Sequence, residues 1–219
     1  MTEFSLSDFS CRTEDIGSGT PALVLLFSGF ERDLFGNVSE ILRSTGCPPL
    51  VLAEFGEIDW DRDYSPWAAE ISGGRKFSGG ADRLLQFLPE FTAELERRYG
   101  GFSEVYLCGY SLGGLFALYA AALSEPGAIS GAASCSGSMW FPGWTEFLKN
   151  HPLHGRVYLS LGGKEKNSPD PLMASVEEKT NEVKRIAERT AQVSFVHEAG
   201  GHFSRIPQRI CRGIIELMK

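Results

Sequence analysis

Apolar residues fall along this chain in two rhythms: short continuous runs, and longer stretches in which they recur every three or four positions. The short runs are "ALVLLFS" (22 to 28), "PLVLAEF" (49 to 55), "EVYLCG" (104 to 109), "AISGAASC" (128 to 135), "RVYLSLG" (156 to 162) and "QVSFVHE" (192 to 198). Runs of this length without strict alternation read as strands buried on both faces. Helical spacing is clearest in "ADRLLQFLPEFTAELERRYGG", where Leu84, Leu88, Phe91, Leu95 and Tyr99 share one face before a Gly-Gly stop. Pro89 falls inside that pattern, and an interruption or a kink is expected there. Further helices are predicted at 33 to 43, 113 to 123, 171 to 190 and 207 to 218. Strands alternating with helices predict an α/β fold with a mostly parallel central sheet and helices on both faces. Residues 1 to 20 are expected to add an antiparallel edge.

Length changes this picture little: 219 residues with 42% hydrophobic composition suit a single domain spanning 1 to 219. No repeat, low-complexity tract or linker divides it. The least regular stretches, 56 to 80 and 136 to 155, are rich in Trp, Gly and Pro, and loops of that kind on a rigid sheet tend to carry binding groups. A net charge of −7 with no acidic block argues against a nucleic-acid partner. The start, "TEFSLSDFS", lacks the basic and apolar regions of a signal peptide, and no apolar run reaches membrane-spanning length. A cytoplasmic location without a membrane partner is therefore expected, and self-association into a homo-oligomer is compatible with the composition. Five scattered cysteines without a C-x-x-C pair read as reduced thiols, Cys108 and Cys135 as small buried hydrophobes.

Chemistry concentrates at "CGYSLGGLF" (108 to 116), where Gly109, Ser111 and Gly113 form G-x-S-x-G. With 25 glycines in the chain the match alone decides little. A strand pattern before it and a helix pattern after it supply the tight strand-to-helix turn that exposes a nucleophilic serine. Ser111 would then stand at a helix N-terminus, with the Leu112 N–H aimed at a developing oxyanion. The alternative is a plain N-cap, which explains neither flanking glycine. A serine hydroxyl needs a base and usually an acid to orient it. Of four histidines, His202 in "EAGGHFSRIP" lies on a glycine-rich loop just past the last strand; His197 lies within the strand, and His151 and His154 form "HPLH" on a Pro-broken loop without a third metal ligand. Chain order points to an acid in "YLSLGGKEKNSPDP": Glu165, with Asp170 or a bare Ser-His dyad as alternatives. Glu198 continues the last strand and is read as solvent-facing. The loop after the first core strand, "LLFSGFERD", should give a second oxyanion donor, the Phe30 N–H, unless Gly29 there serves only a turn. Two other glycine patterns fail: "GSGTPA" precedes a strand instead of following it, and "GGK" at 162 to 164 is followed by Glu165 where a phosphate loop needs Ser or Thr.

These motifs together resemble the putative-esterase family of α/β-hydrolases, which includes S-formylglutathione hydrolases, feruloyl esterases, siderophore esterases and mycolyltransferases. "FSGF" resembles the oxyanion loop, "GYSLGG" the nucleophile turn and "GGHF" the histidine loop, and "DWDRDYSPWAAE" and "FSGGADRLLQFLPEF" resemble segments of bacterial members. The resemblance implies an α/β-hydrolase fold with little or no lid between 136 and 155. It also implies a serine esterase acting on a small-molecule ester without metal or cofactor, with Phe30, Ser111, Leu112 and His202 in the matching roles. An acyltransferase, a thioesterase or a non-catalytic binding module on the same scaffold are the rival readings. Trp67, Trp140, Phe141 and Trp144 are expected to form an apolar wall for the substrate, or else plain core.

Overall fold

The computed structural model describes residues 1–29 and 33–219. The chain opens with β1 (Thr2–Leu6), β2 (Phe9–Ile16) and β3 (Ala22–Phe27), followed by α1 (Leu34–Thr45), β4 (Leu50–Phe55) and α2 (Trp60–Asp63). A small hairpin, β5 (Ala68–Glu70) and β6 (Lys76–Ser78), leads to α3 (Ala81–Tyr99), β7 (Val105–Tyr110) and α4 (Leu112–Leu123). The chain then runs through β8 (Gly131–Cys135), α5 (Trp144–Asn150) and β9 (Arg156–Gly162). It ends with α6 (Pro171–Ala174), α7 (Val176–Ala187), β10 (Gln192–Glu198) and α8 (Ile206–Leu217). Eight strands make one sheet in the order β1-β2-β4-β3-β7-β8-β9-β10, parallel from β4 to β10, with β1 and β2 antiparallel at one edge.

The apolar runs of β3, β4, β7, β8 and β9 are continuous because both faces of the sheet are covered there, and side chains alternate between two cores; β10, at the sheet edge, has no fully buried residue, contrary to expectation. Leu23, Leu25, Phe27 and Leu107 meet α3, α4, α5 and α7, whereas Val24, Leu26, Tyr106, Cys108 and Tyr110 meet α1 and α8. The helix after β3 therefore lies on one face and the helix after the neighbouring β7 on the other. That divergence opens a crevice at the carboxyl ends of these strands, the place where open α/β sheets bind ligands.

The expected strands and the antiparallel edge are present, and three local expectations are corrected. Helix α3 runs unbroken through Pro89. The helix expected over 171–190 divides at Ser175 into α6, capped by Asp170, and α7. The irregular stretches hold α2, the β5–β6 hairpin and α5, elements too short for periodicity to reveal. Among the described residues no helix is long and apolar enough to cross a membrane.

Candidate active site

Ser111 sits between the last residue of β7 and the first of α4 with φ 55° and ψ −121°, a conformation unfavourable for a residue with a side chain. Its hydroxyl makes no capping hydrogen bond to α4, so the plain N-cap reading does not hold. Two backbone bonds pin the bend: Ser111 N–H donates to Cys135 O and Ser138 N–H donates to Ser111 O, each at 3.1 Å. Close approach explains the motif's glycines. A Cβ on Gly109 would lie 2.2 Å from Gly113 O, and one on Gly113 would lie 2.5 Å from Phe27 O.

Past β10, the loop Ala199–Gly201 turns back over the strand ends with Gly200 at φ 92°, and delivers His202 to the serine. His202 Nε2 lies 3.1 Å from Ser111 Oγ, and Nδ1 lies 2.7 Å from Glu165 Oε2. With Glu165 ionised, Nδ1 must carry the proton and donate it to the carboxylate, which leaves Nε2 to accept from the serine hydroxyl. Glu165 opens a 3₁₀ turn just after β9, and its other oxygen accepts the Gly162 N–H and the Ser136 hydroxyl, both at 2.7 Å. Burial pushes the Glu165 carboxyl up, but the hydrogen bond and charge of His202, with Ser136 and the Gly162 N–H, outweigh it and hold it below the usual carboxylate range. The alternatives lie elsewhere. Asp170 accepts the Leu172 and Met173 N–H groups as the N-cap of α6, Glu198 pairs with Arg212 at 3.0 Å, and His151 stacks on Phe147 at 4.2 Å.

Leu112 is the first residue of α4 and borders the same cleft as Ser111, so its N–H stands at the positive end of that helix. The second expected donor, Phe30, lies outside the described residues. Its neighbour Gly29 has φ 139°, which a residue with a side chain rarely adopts, and its backbone faces the Trp60 ring.

The cleft above Ser111 has a volume of about 440 Å³. Its apolar wall is Trp60, Trp140, Met173, Val176 and Phe203, with Arg75 at the hairpin and Ser138 beside Ser111. Ser138 Oγ is 3.5 Å from Ser111 Oγ. Of the four aromatics expected to form the wall, only Trp140 borders the cleft. Trp144 is wholly buried in the core, Phe141 packs between Trp67 and Phe77, and Trp67 turns its indole N–H to Pro142 O at 2.9 Å. Sequence reasoning missed Trp60, which lies on a helix of four residues. It also missed Phe203, although this ring directly follows His202 and is 78% exposed, an unusual state for a large apolar side chain.

Residues 18–204 match the sequence model of a family described as "Putative esterase". A sequence search of curated proteins finds no significant match. Among solved structures, the siderophore hydrolase EstB from Aspergillus nidulans superposes with a TM-score of 0.75 at 19% identity, over 97% of this chain and 92% of that one. An IroE-like serine hydrolase from Shewanella oneidensis gives 0.77 at 16% identity, over 95% and 75%. The enterobactin esterase FES from Shigella flexneri gives 0.66 at 21% identity, over 95% and 55%. These superpositions show a shared fold.

Proposed function

The chain belongs to the putative-esterase family, and from that premise we propose that it hydrolyses carboxylic esters through an acyl-enzyme on Ser111. The observation that carries this reading is the line of hydrogen bonds from Ser111 Oγ through the His202 ring to Glu165, at 3.1 and 2.7 Å, beside an apolar cleft. Ser111 Oγ attacks the ester carbonyl carbon while His202 Nε2 takes its proton, and the carbonyl oxygen becomes an oxyanion within reach of the Leu112 N–H. The tetrahedral adduct collapses as His202 returns the proton to the departing alkoxide, which leaves as an alcohol. Water then attacks the acyl-enzyme with His202 again taking a proton, and the carboxylic acid is released with Ser111 restored. Glu165 keeps its negative charge throughout, holding the ring's tautomer and stabilising the imidazolium.

Trp60, Trp140 and Phe203 around the nucleophile favour esters with an aromatic or bulky apolar group. The siderophore hydrolase, the serine hydrolase and the enterobactin esterase among the structural neighbours support hydrolysis as the outcome. In the test, the protein is treated with a fluorophosphonate and assayed on aryl and short aliphatic esters. The expected results are an adduct on Ser111, faster aryl hydrolysis, and a loss of at least about 10⁴-fold in turnover on Ser111→Ala. Folded protein that takes no label, or a Ser111→Ala variant as active as the parent, would overturn the reading. Equal rates on the two ester classes would remove the aromatic preference alone.

A further inference from the structure

We propose that Arg209 is a positioning residue for ester hydrolysis, a buried guanidinium that ties the acid loop and the histidine loop to the strand bearing the nucleophile. The proposal rests on the reading of Ser111, His202 and Glu165 given above.

Helix α8 packs its apolar stripe of Ile206, Ile210, Ile214 and Leu217 on the sheet, and Arg209 falls on the buried side of that helix with its side chain 1% exposed. An arginine cannot shed its charge, so enclosing it away from water demands compensating acceptors, and an apolar residue would serve packing alone at least as well. The acceptors it meets are not scattered through the core. Nη1 donates to Tyr110 OH at 3.0 Å and to Ser136 Oγ at 2.7 Å, and lies 3.4 Å from Glu165 Oε1. Nη2 donates to the carbonyls of Ala199 and Gly201, both at 3.0 Å. Tyr110 is the residue before Ser111, and its hydroxyl donates in turn to the His202 carbonyl. One side chain thus touches the nucleophile's strand, the acid and both ends of the glycine turn that carries the base.

The surroundings are shaped to admit it. A Cβ on Gly162 would lie 2.9 Å from both Arg209 Nη2 and Glu165 Oε1, so the end of β9 is bare where guanidinium and carboxylate meet. Holding Glu165 through Oε1 directs Oε2 at His202 Nδ1, and holding two carbonyls of the loop fixes the depth at which Nε2 meets Ser111. The neighbouring Arg212 offers an internal contrast. It is half exposed and pairs with Glu198 at the surface end of the last strand.

The test compares the intact protein with Arg209→Met, Arg209→Lys and Arg212→Met. It measures kcat and KM on an aryl ester, the fraction of sites labelled by a fluorophosphonate, near-ultraviolet circular dichroism, and the downfield proton resonance of the His202 Nδ1–H. Folded Arg209→Met should lose about 100-fold in kcat with KM nearly unchanged, and its downfield resonance should shift or vanish, as expected when a base is misplaced by an ångström or less. Arg209→Lys should lose about tenfold, since one ammonium cannot reach both the acid and the loop carbonyls. Arg212→Met should match the parent. A folded Arg209→Met or Arg209→Lys with parental kcat and an unmoved resonance overturns the proposal, as does a loss confined to KM. If Arg209→Met does not fold, Arg209→Lys decides. If Ser111→Ala abolishes turnover while the Arg209 variants keep it, only this inference falls; absence of turnover and labelling in the parent would instead remove the esterase reading.

Discussion

Two buried carboxylates stand in the segments that follow the carboxyl ends of the strands, Asp63 after β4 and Glu165 after β9, and they are built alike. Asp63 is wholly enclosed and accepts from Arg62 Nε at 2.8 Å and Nη2 at 3.1 Å, from Arg83 Nη1 at 3.0 Å and from the Asp59 N–H at 2.9 Å. Glu165 accepts from Ser136, Gly162 and His202 and has Arg209 beside it. In both, burial raises the carboxyl's affinity for a proton, and donors pull it below the usual range. Burial, an arginine partner and a lowered proton affinity therefore do not mark a reacting group. What separates the two is where the last contact leads. Asp63 closes on its own segment and the start of α3, so it locks the stretch that brings Trp60 to the cleft; Glu165 spends one oxygen on an imidazole that touches Ser111.

The largest expected effect falls on the acid of the relay. Glu165→Gln keeps size and shape but offers His202 Nδ1 an amide, which permits the wrong ring tautomer and, on the proposed mechanism, removes the charge that stabilises the imidazolium. Turnover should fall about 10³- to 10⁴-fold with KM nearly constant. Asp170→Ala removes a helix cap, about 1 kcal/mol of stability, and should leave kcat unchanged. Steady-state kinetics and thermal melts on the two variants distinguish them. A full rate in Glu165→Gln, or a comparable loss in Asp170→Ala, would return the acid's role to its rival.

Asp63 should show the opposite profile. Asp63→Asn presents amide protons to guanidinium donors in a closed site, and about 3 kcal/mol of stability should be lost. That value sits at the low end for a broken buried pair because Arg62 and Arg83 are 46% and 36% exposed and can regain water. The folded fraction should keep kcat within about threefold. Urea unfolding alongside kinetics on the same preparation tests this, and a large kcat loss at parental stability would erase the distinction between the two acids.

How much of this could be read beforehand follows from what periodicity encodes. The six apolar runs and the long helical pattern of α3 were legible because burial on a sheet or a helix face repeats in sequence. That Ser111 and His202 meet was legible because chain order around a parallel sheet fixes which loops meet at its carboxyl edge, and the same order placed Glu165 ahead of Asp170 as the third member without deciding between them. The cleft wall was not, since aromatic content says nothing about direction within irregular segments: Trp144 turns inward from a seven-residue helix, while Trp60 reaches the cleft from a four-residue one. Arg209 did leave a signal, a charge three residues past Ile206 on the apolar stripe of α8, which strand-and-motif reading passes over. Phe30 lies outside the described residues, so the second oxyanion donor stands as the motif implies it.

The smallest expected effect concerns acid. Each carboxyl binds its proton less tightly folded than unfolded, where the ordinary values are about 3.9 for Asp and 4.3 for Glu. The folded state then carries fewer protons in the window just below those values, so stability rises with pH there. The contribution is complete above about pH 5 and drains away as pH falls through the lower, folded value. Urea midpoints measured from pH 6 to pH 3 should show the gap between the parent and Asp63→Asn narrowing toward acid, and the Glu165→Gln gap doing the same. His202→Phe sharpens the comparison, because the imidazole leads the interactions that lower Glu165 and makes no contact with Asp63. In that background the Glu165→Gln gap should shrink at every pH while the Asp63→Asn gap is untouched. An Asp63→Asn gap that stays constant down to pH 3 would mean that this acid works through neutral hydrogen bonds and packing, and its likeness to Glu165 would be one of shape without shared electrostatics.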